Sequence, residues 1–366
     1  MKDIRSTLPP MASDTAGACS MLFETGGVTV IHDAAGSMEV FITFEEQRPL
    51  DTCRTVTSQL TALEAITGND QILIDKLTAE LAAHPAPFAA IVGTPVPHTI
   101  ATDLDGIAAE VEAAAHTPVF AVNAGGFRLY DYGAGEALKK LLSRFVQPPK
   151  GHAGRRVNLL GAFPMDLSGA ELEGVRAQLL GAGFDTAASL TLNGSLDEIT
   201  SAAEADLNLV ISMAGLPAAK WMEQKFHIPY LVGLPFAADD TRKLLSQEEE
   251  SFPESGKTVL ILGDAVFAVS LGSIVRRMGF APTLGFEAGG LPTDLPMVPL
   301  DTEAHIRQAL RGDYDLIVAD PLYRLLLPKD SRAVLIPRPH QALSSRLHKP
   351  AEQPLGNILL LMEEET

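Results

Sequence analysis

Short apolar runs of strand length alternate with amphipathic runs of helix length along almost the whole chain. This alternation is typical of βαβ units, in which a helix connects two parallel strands. Strands buried on both faces of a parallel sheet need near-continuous apolar sequence, as in AAIVG at residues 89–93. The pattern predicts an α/β fold of three Rossmann-like, doubly wound parallel-sheet domains around a central cleft.

Two breaks in this alternation divide the chain. Residues 147–154 contain paired prolines and two glycines, which favour neither a helix nor a strand interior. A second break, at residues 247–255, is acidic and contains a proline. We therefore expect domains at 1–154, 155–255 and 256–345, and a tail at 346–366 that packs back on the first domain. Ligands are expected at the carboxyl ends of the strands and in the clefts between domains.

The apolar runs predict the following strands: 28–32, 40–44, 89–93 and 118–123 in the first domain, 156–161, 207–212 and 229–233 in the second, and 257–264, 315–320 and 333–337 in the third. Helices are expected near residues 70–83, 103–116, 133–145, 168–181 and 265–278.

The net charge of the 366-residue chain is −18, from 28 basic and 46 acidic residues. Nucleic-acid surfaces need clustered Lys and Arg, so we expect no nucleic-acid partner. The acidity serves solubility or offers a docking face to a basic partner. No apolar run approaches the ~20 residues of a membrane-spanning helix, and we expect no membrane partner. Two cysteines and no N-terminal apolar run favour a cytoplasmic protein.

Familiar catalytic motifs are absent from the sequence. There is no G-x-x-x-x-G-K-[ST], and no G-x-G-x-x-G follows a predicted strand, so no nucleotide site is indicated. H-E-x-x-H, G-x-S-x-G and C-x-x-C are missing as well. Ordinary hydrolase and zinc-enzyme hypotheses therefore lose their support, and no catalytic residue can be assigned.

Several short sequences nevertheless occur in the order found in a known family. GACSMLFETGGVTVIHDAAGS at residues 17–37 resembles the Gly-Ala helix, strand and His-Gly-Pro-x-Gly-Cys turn that open component 1 subunits of nitrogenase-type oxidoreductases. The resemblance continues through TSQLTALE at 57–64, GTPVPHTIATDL at 93–104, GGF at 125–127 and VNLLG at 157–161. It covers nearly the whole chain.

The resemblance implies a cofactor and partners. Such proteins are homodimers, or heterodimers of related subunits, that hold an iron–sulfur cluster near the subunit interface. They receive electrons from a separate iron-protein ATPase and reduce a substrate bound between the three domains, with tetrapyrroles among the known substrates. The length of this chain is similar to that of the compact homodimeric tetrapyrrole reductases. A [4Fe–4S] cluster at a dimer interface is therefore the expected cofactor.

The ligand positions of the family depart from its pattern in this chain. Ser37 occupies the place of the turn cysteine, and Pro95 that of the cysteine in the family's Thr-Cys stretch. The first family cysteine would fall near residues 11–13, where there is none. Cys19 and Cys53 lie off these positions, and in a symmetric dimer they would together supply four thiolates. Each is alternatively a small buried apolar residue.

Other polar residues near predicted strand ends are candidate cofactor-binding residues. His32 is a ligand or proton donor, or a hydrogen-bonded structural histidine. Asp33 is an oxygen ligand or a turn cap. Gly36 is expected to allow a tight turn in a backbone region closed to other residues. His98 faces the cleft or is solvated.

Two further candidates lie at the ends of predicted strands. Asn123 ends a strand of the first domain and lines the cleft or serves an ordinary turn. Asp264 ends the first strand of the third domain, where it contacts a ligand or caps the following helix.

Two hypotheses about function remain. In the first, the chain is a nitrogenase-like reductase subunit that accepts electrons from the iron protein and acts on a substrate such as a tetrapyrrole in the interdomain cleft. In the second, it is a redox-silent binding, scaffold or pairing subunit that kept the fold and lost the cluster.

Overall fold

Three separate parallel sheets make up the frame of the protein. The computed structural model describes residues 5–46, 48, 54–151, 154–247, 256–344 and 352–365. The strands of these sheets are β1 Val28–Ile31, β2 Arg54–Thr57, β3 Ala89–Val92, β4 Val119–Val122, β5 Arg156–Leu160, β6 Thr186–Ala188, β7 Leu207–Val210, β8 Tyr230–Val232, β9 Thr258–Asp264, β10 Ala281–Ala288, β11 Leu316–Ala319 and β12 Val334–Pro337.

All three sheets repeat one strand order. The orders are β2-β1-β3-β4, β6-β5-β7-β8 and β10-β9-β11-β12, and every described pair is parallel. In each sheet the connections run first to one side and then to the other of the first strand. The point of reversal leaves a crevice at the carboxyl ends of two neighbouring strands. The predicted fold of three doubly wound α/β units is confirmed.

Helices surround the sheets. They are α1 Asp14–Leu22, α2 Ser37–Val40, α3 Ala62–Thr67, α4 Gln71–Ala83, α5 Pro95–Thr99, α6 Leu104–Ala115, α7 Tyr130–Phe145, α8 Gly169–Gly181, α9 Leu196–Thr200, α10 Leu216–Phe226, α11 Ala238–Ser246, α12 Ala265–Arg277, α13 Glu303–Ala309, α14 Gln341–Ser344 and α15 Gly356–Glu364. None of these described helices has both the length and the apolar character needed to cross a membrane.

The strand cores explain why the sheets form. Every residue of β1, β3, β4 and β11 is buried, as expected for parallel strands with helices on both faces. One apolar cluster joins the first and second units, with Leu138 of α7 and Met222 of α10 among its members. Another joins the second and third units through Leu172 and Phe267. The units therefore pack through shared apolar cores.

Helices α1 and α7 touch at backbone distance. A Cβ atom at Gly17 would overlap the carbonyl oxygen of Tyr130, and one at Gly133 would overlap that of Asp14. Only glycine allows so close an approach at these two points. The crossing fixes the position of α1 against the first sheet.

The predicted strand at residues 40–44 is wrong. The chain is helical there, with α2 continuing into one π-helical turn at Phe41–Glu45. Ser37, Val40, Phe41 and Glu45 line one cavity, and this spacing of three, one and four residues is that of a helix face. The place beside β1 is taken instead by β2, which the sequence patterns did not predict. The short edge strand β6 and the Pro- and Gly-containing β10 were likewise not predicted.

The domain boundaries at 154, 255 and 345 stay predictions, although each sheet falls within one predicted domain. We expected the tail after residue 345 to pack on the first domain. Its described part, residues 352–365, packs elsewhere: Ile358 and Met362 join the apolar cluster of the second and third units. Lys257 Nζ also donates to the carbonyl oxygen of Glu365, at 2.8 Å. The apolar face of α15 therefore packs on the second and third units.

Candidate functional site

A cavity of about 200 Å³ lies at the point where the strand order of the first sheet reverses. It occupies the space beyond the carboxyl ends of β1 and β3, which is where doubly wound folds place ligands. Its lining residues are Ser13, Thr15, Ala16, Cys19, Ile31, Asp33, Ser37, Val40, Phe41, Glu45, Thr94 and Pro95. We call it the N-terminal cavity.

Helix α1 brings Cys19 into this cavity. Ser13 caps the helix by accepting a hydrogen bond from the amide of Ala16. Thr15 Oγ1 donates to the carbonyl oxygen of Gly93 at 2.9 Å, which ties the helix to the end of β3. Cys19 follows Thr15 by one helical turn on the same face and is fully buried. The structure thus places Cys19, Asp33 and Ser37 around one space.

The turn after β1 is held by its own hydrogen bonds. Asp33 Oδ1 accepts from the amide of Ala34 at 2.8 Å, which matches the turn-cap interpretation of this residue. His32 Nδ1 is 2.9 Å from Ser58 Oγ. Burial lowers the pKa of His32, so the imidazole is neutral at neutral pH. His32 is a buried structural contact between the ends of β1 and β2, and it does not line the cavity.

The cavity is acidic and rich in hydroxyl groups. Burial raises the pKa of Glu45 to about 7, so this carboxyl group is protonated in part at neutral pH. Hydroxyl groups come from Ser13, Thr15, Ser37 and Thr94. The lining can therefore donate and accept hydrogen bonds at neutral pH. Sequence reasoning did not find Glu45, because it assigned residues 40–44 to a strand.

The residues of the cavity do not fit a four-iron cluster. Such a cluster needs four thiolates or equivalent ligands, and Cys19 is the one thiol among the described residues that line the cavity. Cys53 lies outside the described residues. Within the part of the chain that is described, no three His, Cys, Asp or Glu side chains come together in an arrangement that could hold a metal ion. Ser37 and Pro95, at the family's ligand positions, line the cavity but supply no sulfur.

Besides His32, three further predicted site residues of the first domain lie outside the cavity lining. His98 lies in the last turn of α5 and packs its ring against Phe127, with 5.6 Å between ring centres. Asn123 is exposed and donates to Asp105 at 2.8 Å. Gly36 has φ −79°, an ordinary helical value, and a Cβ there would meet nothing within 4 Å. The expectation that Gly36 serves a turn forbidden to other residues is wrong.

Asp264 lies at a second polar centre, where the three domains meet. Its Oδ1 caps α12 by accepting from the amides of Val266 and Phe267 at 2.9 and 3.3 Å. Its other oxygen, Oδ2, is buried and has no hydrogen-bond partner among the described residues. Burial, together with the nearby negative charge of Asp166, raises the pKa of Asp264 to about 7. Asp264 therefore caps α12 through Oδ1, and its buried Oδ2 is left for a further role.

Side chains of all three domains are hydrogen-bonded at this centre. Tyr130 of α7 donates from its hydroxyl to Asp166 Oδ1 at 2.5 Å, and the hydroxyl oxygen of Tyr130 is 3.0 Å from His340 Nε2. His340 Nδ1 pairs with Glu287 at the end of β10. Arg338 donates to the carbonyl oxygen of Asp166 at 2.7 Å. Sequence reasoning named only Asp264 here, although a charged residue at or just beyond the end of each strand of the third sheet is visible in the sequence.

Many exposed apolar side chains lie on the segments that follow the carboxyl ends of the strands of the first sheet. Eight of the fourteen large apolar side chains exposed in the described part of the chain lie on segments that follow the ends of β1, β2, β3 and β4. They are Val40, Leu63, Ile66, Val96, Ile100, Phe127, Leu129 and Tyr132. We call this set the apolar edge. Val40 belongs both to it and to the lining of the N-terminal cavity.

Comparison with known proteins decides the family. Residues 15–254 match the family described as nitrogenase component 1 type oxidoreductase. The chain belongs to this family. The resemblance inferred from the short motifs is therefore confirmed, and the match includes every residue that lines the N-terminal cavity except Ser13.

Curated relatives are similar over part of their length. The chain is 31% identical over 197 residues to the nitrogenase iron-molybdenum cofactor biosynthesis protein NifE of Clostridium pasteurianum, covering 52% of this chain and 41% of the relative. It is 25% identical over 158 residues to one subunit of the light-independent protochlorophyllide reductase of Nephroselmis olivacea, covering 40% and 30%. The chain thus spans less than half the length of these relatives.

A solved structure extends the likeness of the fold to the whole chain. The structure described as nitrogenase Cp1 at pH 6.5 superposes with a TM-score of 0.72 at 14% identity. The superposition covers 100% of this chain and 93% of the other. At this identity the likeness concerns the fold alone.

Proposed function

We propose that this chain is a pairing and binding subunit of the nitrogenase component 1 type oxidoreductase family that does not hold an iron–sulfur cluster through its own residues. One observation carries the proposal. The N-terminal cavity offers one thiol, with Ser37 and Pro95 at the family's ligand positions, and it adjoins the apolar edge.

The apolar edge supports pairing. Large exposed apolar patches on a folded protein mark interaction sites, and here Ile66, Leu63 and Phe127 are exposed to 83%, 70% and 68%. Pairing through this edge would bury them and cover the mouth of the cavity beside Val40. The partner in this proposal is a second copy of the chain or a related subunit of the same family.

The pairing is tested by mass photometry of the purified full chain, alone and co-expressed with a related subunit. We expect a pair in wild type and monomers in the Leu63→Asp plus Ile66→Asp variant, because two buried charges would face the partner. Leu180→Asp is the matched control, since Leu180 is exposed on α8 and lies outside the apolar edge. Monomeric wild type under both conditions would contradict the pairing.

The cavity is tested by anaerobic purification and reconstitution with iron and sulfide. We expect a colourless chain with no iron, no acid-labile sulfide and no paramagnetic signal, and with unchanged pairing after Cys19→Ser. The cavity would then take a small guest that hydrogen-bonds to the hydroxyl groups and to Glu45. A volume of about 200 Å³ lies below the ~300–1,000 Å³ of sites for drug-sized ligands.

A second candidate function rests on Cys19, because its thiol lines the cavity at a place a symmetric partner could share. In this alternative the chain is a reductase subunit that binds a [4Fe–4S] cluster at the dimer interface. It would take electrons from an iron-protein ATPase and act on a substrate such as a tetrapyrrole. Four irons per pair, lost in Cys19→Ser, would favour this alternative over the proposal above.

A further inference from the structure

Charged side chains stand at the ends of all four strands of the third sheet. Asp264 ends β9, Glu287 lies in β10 one residue before its end, Asp320 follows β11, and Arg338 follows β12 directly. All four are buried. In a doubly wound fold this edge normally opens to a ligand. In this chain protein side chains from the other two domains cover it.

The covering groups come from both remaining domains. Tyr130, at the start of α7 in the first domain, bridges Asp166 of the second domain and His340 of the third. Arg338 of the third domain is also paired with Glu171 of the second, at 3.4 Å. These contacts cross every domain boundary at one point, so the central cleft is closed there by hydrogen bonds and ion pairs.

The centre holds more carboxyl groups than cations. Its buried carboxyl groups are those of Asp166, Glu171, Asp264, Glu287 and Asp320, and its buried cationic side chains are Arg338 and His340. Three of the carboxyl oxygens, Asp166 Oδ2, Asp264 Oδ2 and Glu287 Oε1, have no hydrogen-bond partner among the described residues. Uncompensated buried charge is strongly unfavourable. A proton on Asp264 removes one negative charge and turns one of these acceptors into a donor.

We propose that the central cleft is closed by a proton-dependent latch, in which protonated Asp264 allows Tyr130, Asp166, Arg338 and His340 to hold the three domains together. Loss of this proton adds a negative charge beside Asp166 and loosens the contact. The latch depends neither on pairing nor on the guest of the N-terminal cavity, so its failure and that of the proposed function are separate results.

The direction of the pH dependence follows from linkage. The pKa of Asp264 is raised from 3.8 to about 7 in the closed state. Its contribution to closure is therefore fully present below pH 3.8 and is lost as the pH rises through about 7. His340 acts in the same direction at higher pH, because Glu287 and Asp166 raise its pKa to about 10 against the effect of burial.

Neighbouring groups define the window in which Asp264 can be isolated. Asp131 of α7 has its pKa raised to about 6, chiefly by burial. Interaction with His340 lowers the pKa of Glu287 despite its burial, so the titration of Glu287 affects closure only below pH 4.5. Burial raises the pKa of Tyr130 and Tyr323 well above their usual range. Between pH 5.0 and 6.5, Asp264 and Asp131 are thus the groups that change most.

The latch is tested by hydrogen exchange of the full chain at pH 5.0 and 6.5, corrected for the intrinsic rate. The peptides to compare cover residues 128–135, 163–170 and 336–342. Between the pKa of Asp264 in the open state, 3.8, and its pKa of about 7 in the closed state, the opening equilibrium constant rises up to tenfold per pH unit. From pH 5.0 to 6.5, Asp264 therefore contributes a rise in exchange rate on the order of 20-fold. We expect Asp264→Asn to lose this factor, because asparagine keeps the helix cap and carries no charge. Asp131→Asn plus Asp264→Asn should remove the remaining rise.

Asp103→Asn is the matched control, because Asp103 caps α6 in the same way at an exposed site. It should behave as wild type. An equal rise in wild type and Asp264→Asn would overturn the proposal. If Asp264→Asn does not fold, the wild-type chain still decides. The rise in exchange must then appear in the peptides that cover residues 128–135, 163–170 and 336–342, and it must be absent from a peptide that covers the core strand β7. A rise in both places, or in neither, would refute the latch.

Discussion

Replacement of Gly17 by alanine tests why glycine is needed at the first position of the Gly17-Ala18 pair in α1. In the structure Gly17 lies against the backbone of Tyr130 at the crossing of α1 and α7. An added methyl group would overlap the carbonyl oxygen of Tyr130, its carbonyl carbon and its Cα, all closer than real Cβ atoms are found. Since these are backbone atoms, no rotamer change relieves the overlap.

The size of the effect follows from two opposing terms. Alanine gains up to about 1 kcal/mol over glycine through helix propensity. Overpacking a tight contact costs about 1–3 kcal/mol and occasionally more, and a rigid backbone contact lies at the upper end. We expect a net loss of about 2 kcal/mol, which lowers the thermal midpoint of a domain of this size by roughly 4–8 °C.

The assay is thermal unfolding of wild type, Gly17→Ala and a matched control, Gly181→Ala. Gly181 ends α8, and a Cβ there would meet nothing within 4 Å. The control should be neutral or more stable by up to about 1 kcal/mol. The reasoning fails if Gly17→Ala and Gly181→Ala shift the midpoint equally. The double variant Gly17→Ala plus Gly133→Ala should lose less stability than the sum of the two single losses, because both added methyl groups push apart the same crossing of α1 and α7.

Three further results are expected. Tyr130→Phe should destabilise the chain by about 1–3 kcal/mol in urea unfolding, because Asp166 Oδ1 loses the buried hydroxyl donor of Tyr130 and His340 Nε2 loses its contact with the same hydroxyl group. Glu303→Gln should lower exchange protection of residues 6–8, whose amides donate to Glu303. Since backbone and side-chain hydrogen bonds lower the pKa of Glu303 against burial, wild-type protection there should persist above pH 4.5 and fall on strong acidification. Glu45, with its pKa raised to about 7, should make wild type lose thermal stability between pH 5 and 7.5 relative to Glu45→Gln.

The fold could be predicted from sequence because its strands are buried on both faces. Runs such as Ala89–Val92 and Leu316–Ala319 are continuous and apolar, and helix caps such as Ser168 and Asp264 mark where helices begin. The strand prediction for residues 40–44 was wrong because local sequence preference and tertiary packing disagree there. The β-branched and aromatic residues of this segment favour a strand, but a helical turn buries Phe41 against Phe23 of the α1 end. Tertiary contact overrode local preference.

The site was less predictable, because its contacts join distant parts of the chain. Cys19 of α1, Asp33 after β1 and Ser37 of α2 lie close together in the sequence on the two sides of β1, so only local structure is needed to bring them to one cavity. The contact between Tyr130 and His340 joins residues 210 positions apart. No spacing rule links such positions, since they meet only after three domains have packed. The covering of Asp264 was therefore invisible in the sequence.

The two polar centres together favour a function at the edge of the first domain. A partner subunit can supply sulfur ligands that the N-terminal cavity lacks, because that cavity lies beside the exposed apolar edge. A partner cannot supply an open central cleft, since Tyr130, Asp166 and His340 of this same chain fill the point where its domains meet. Loss of thiols alone would leave a reductase dependent on its partner. Loss of thiols together with a closed cleft supports our proposal that this chain acts through the apolar edge and what binds there.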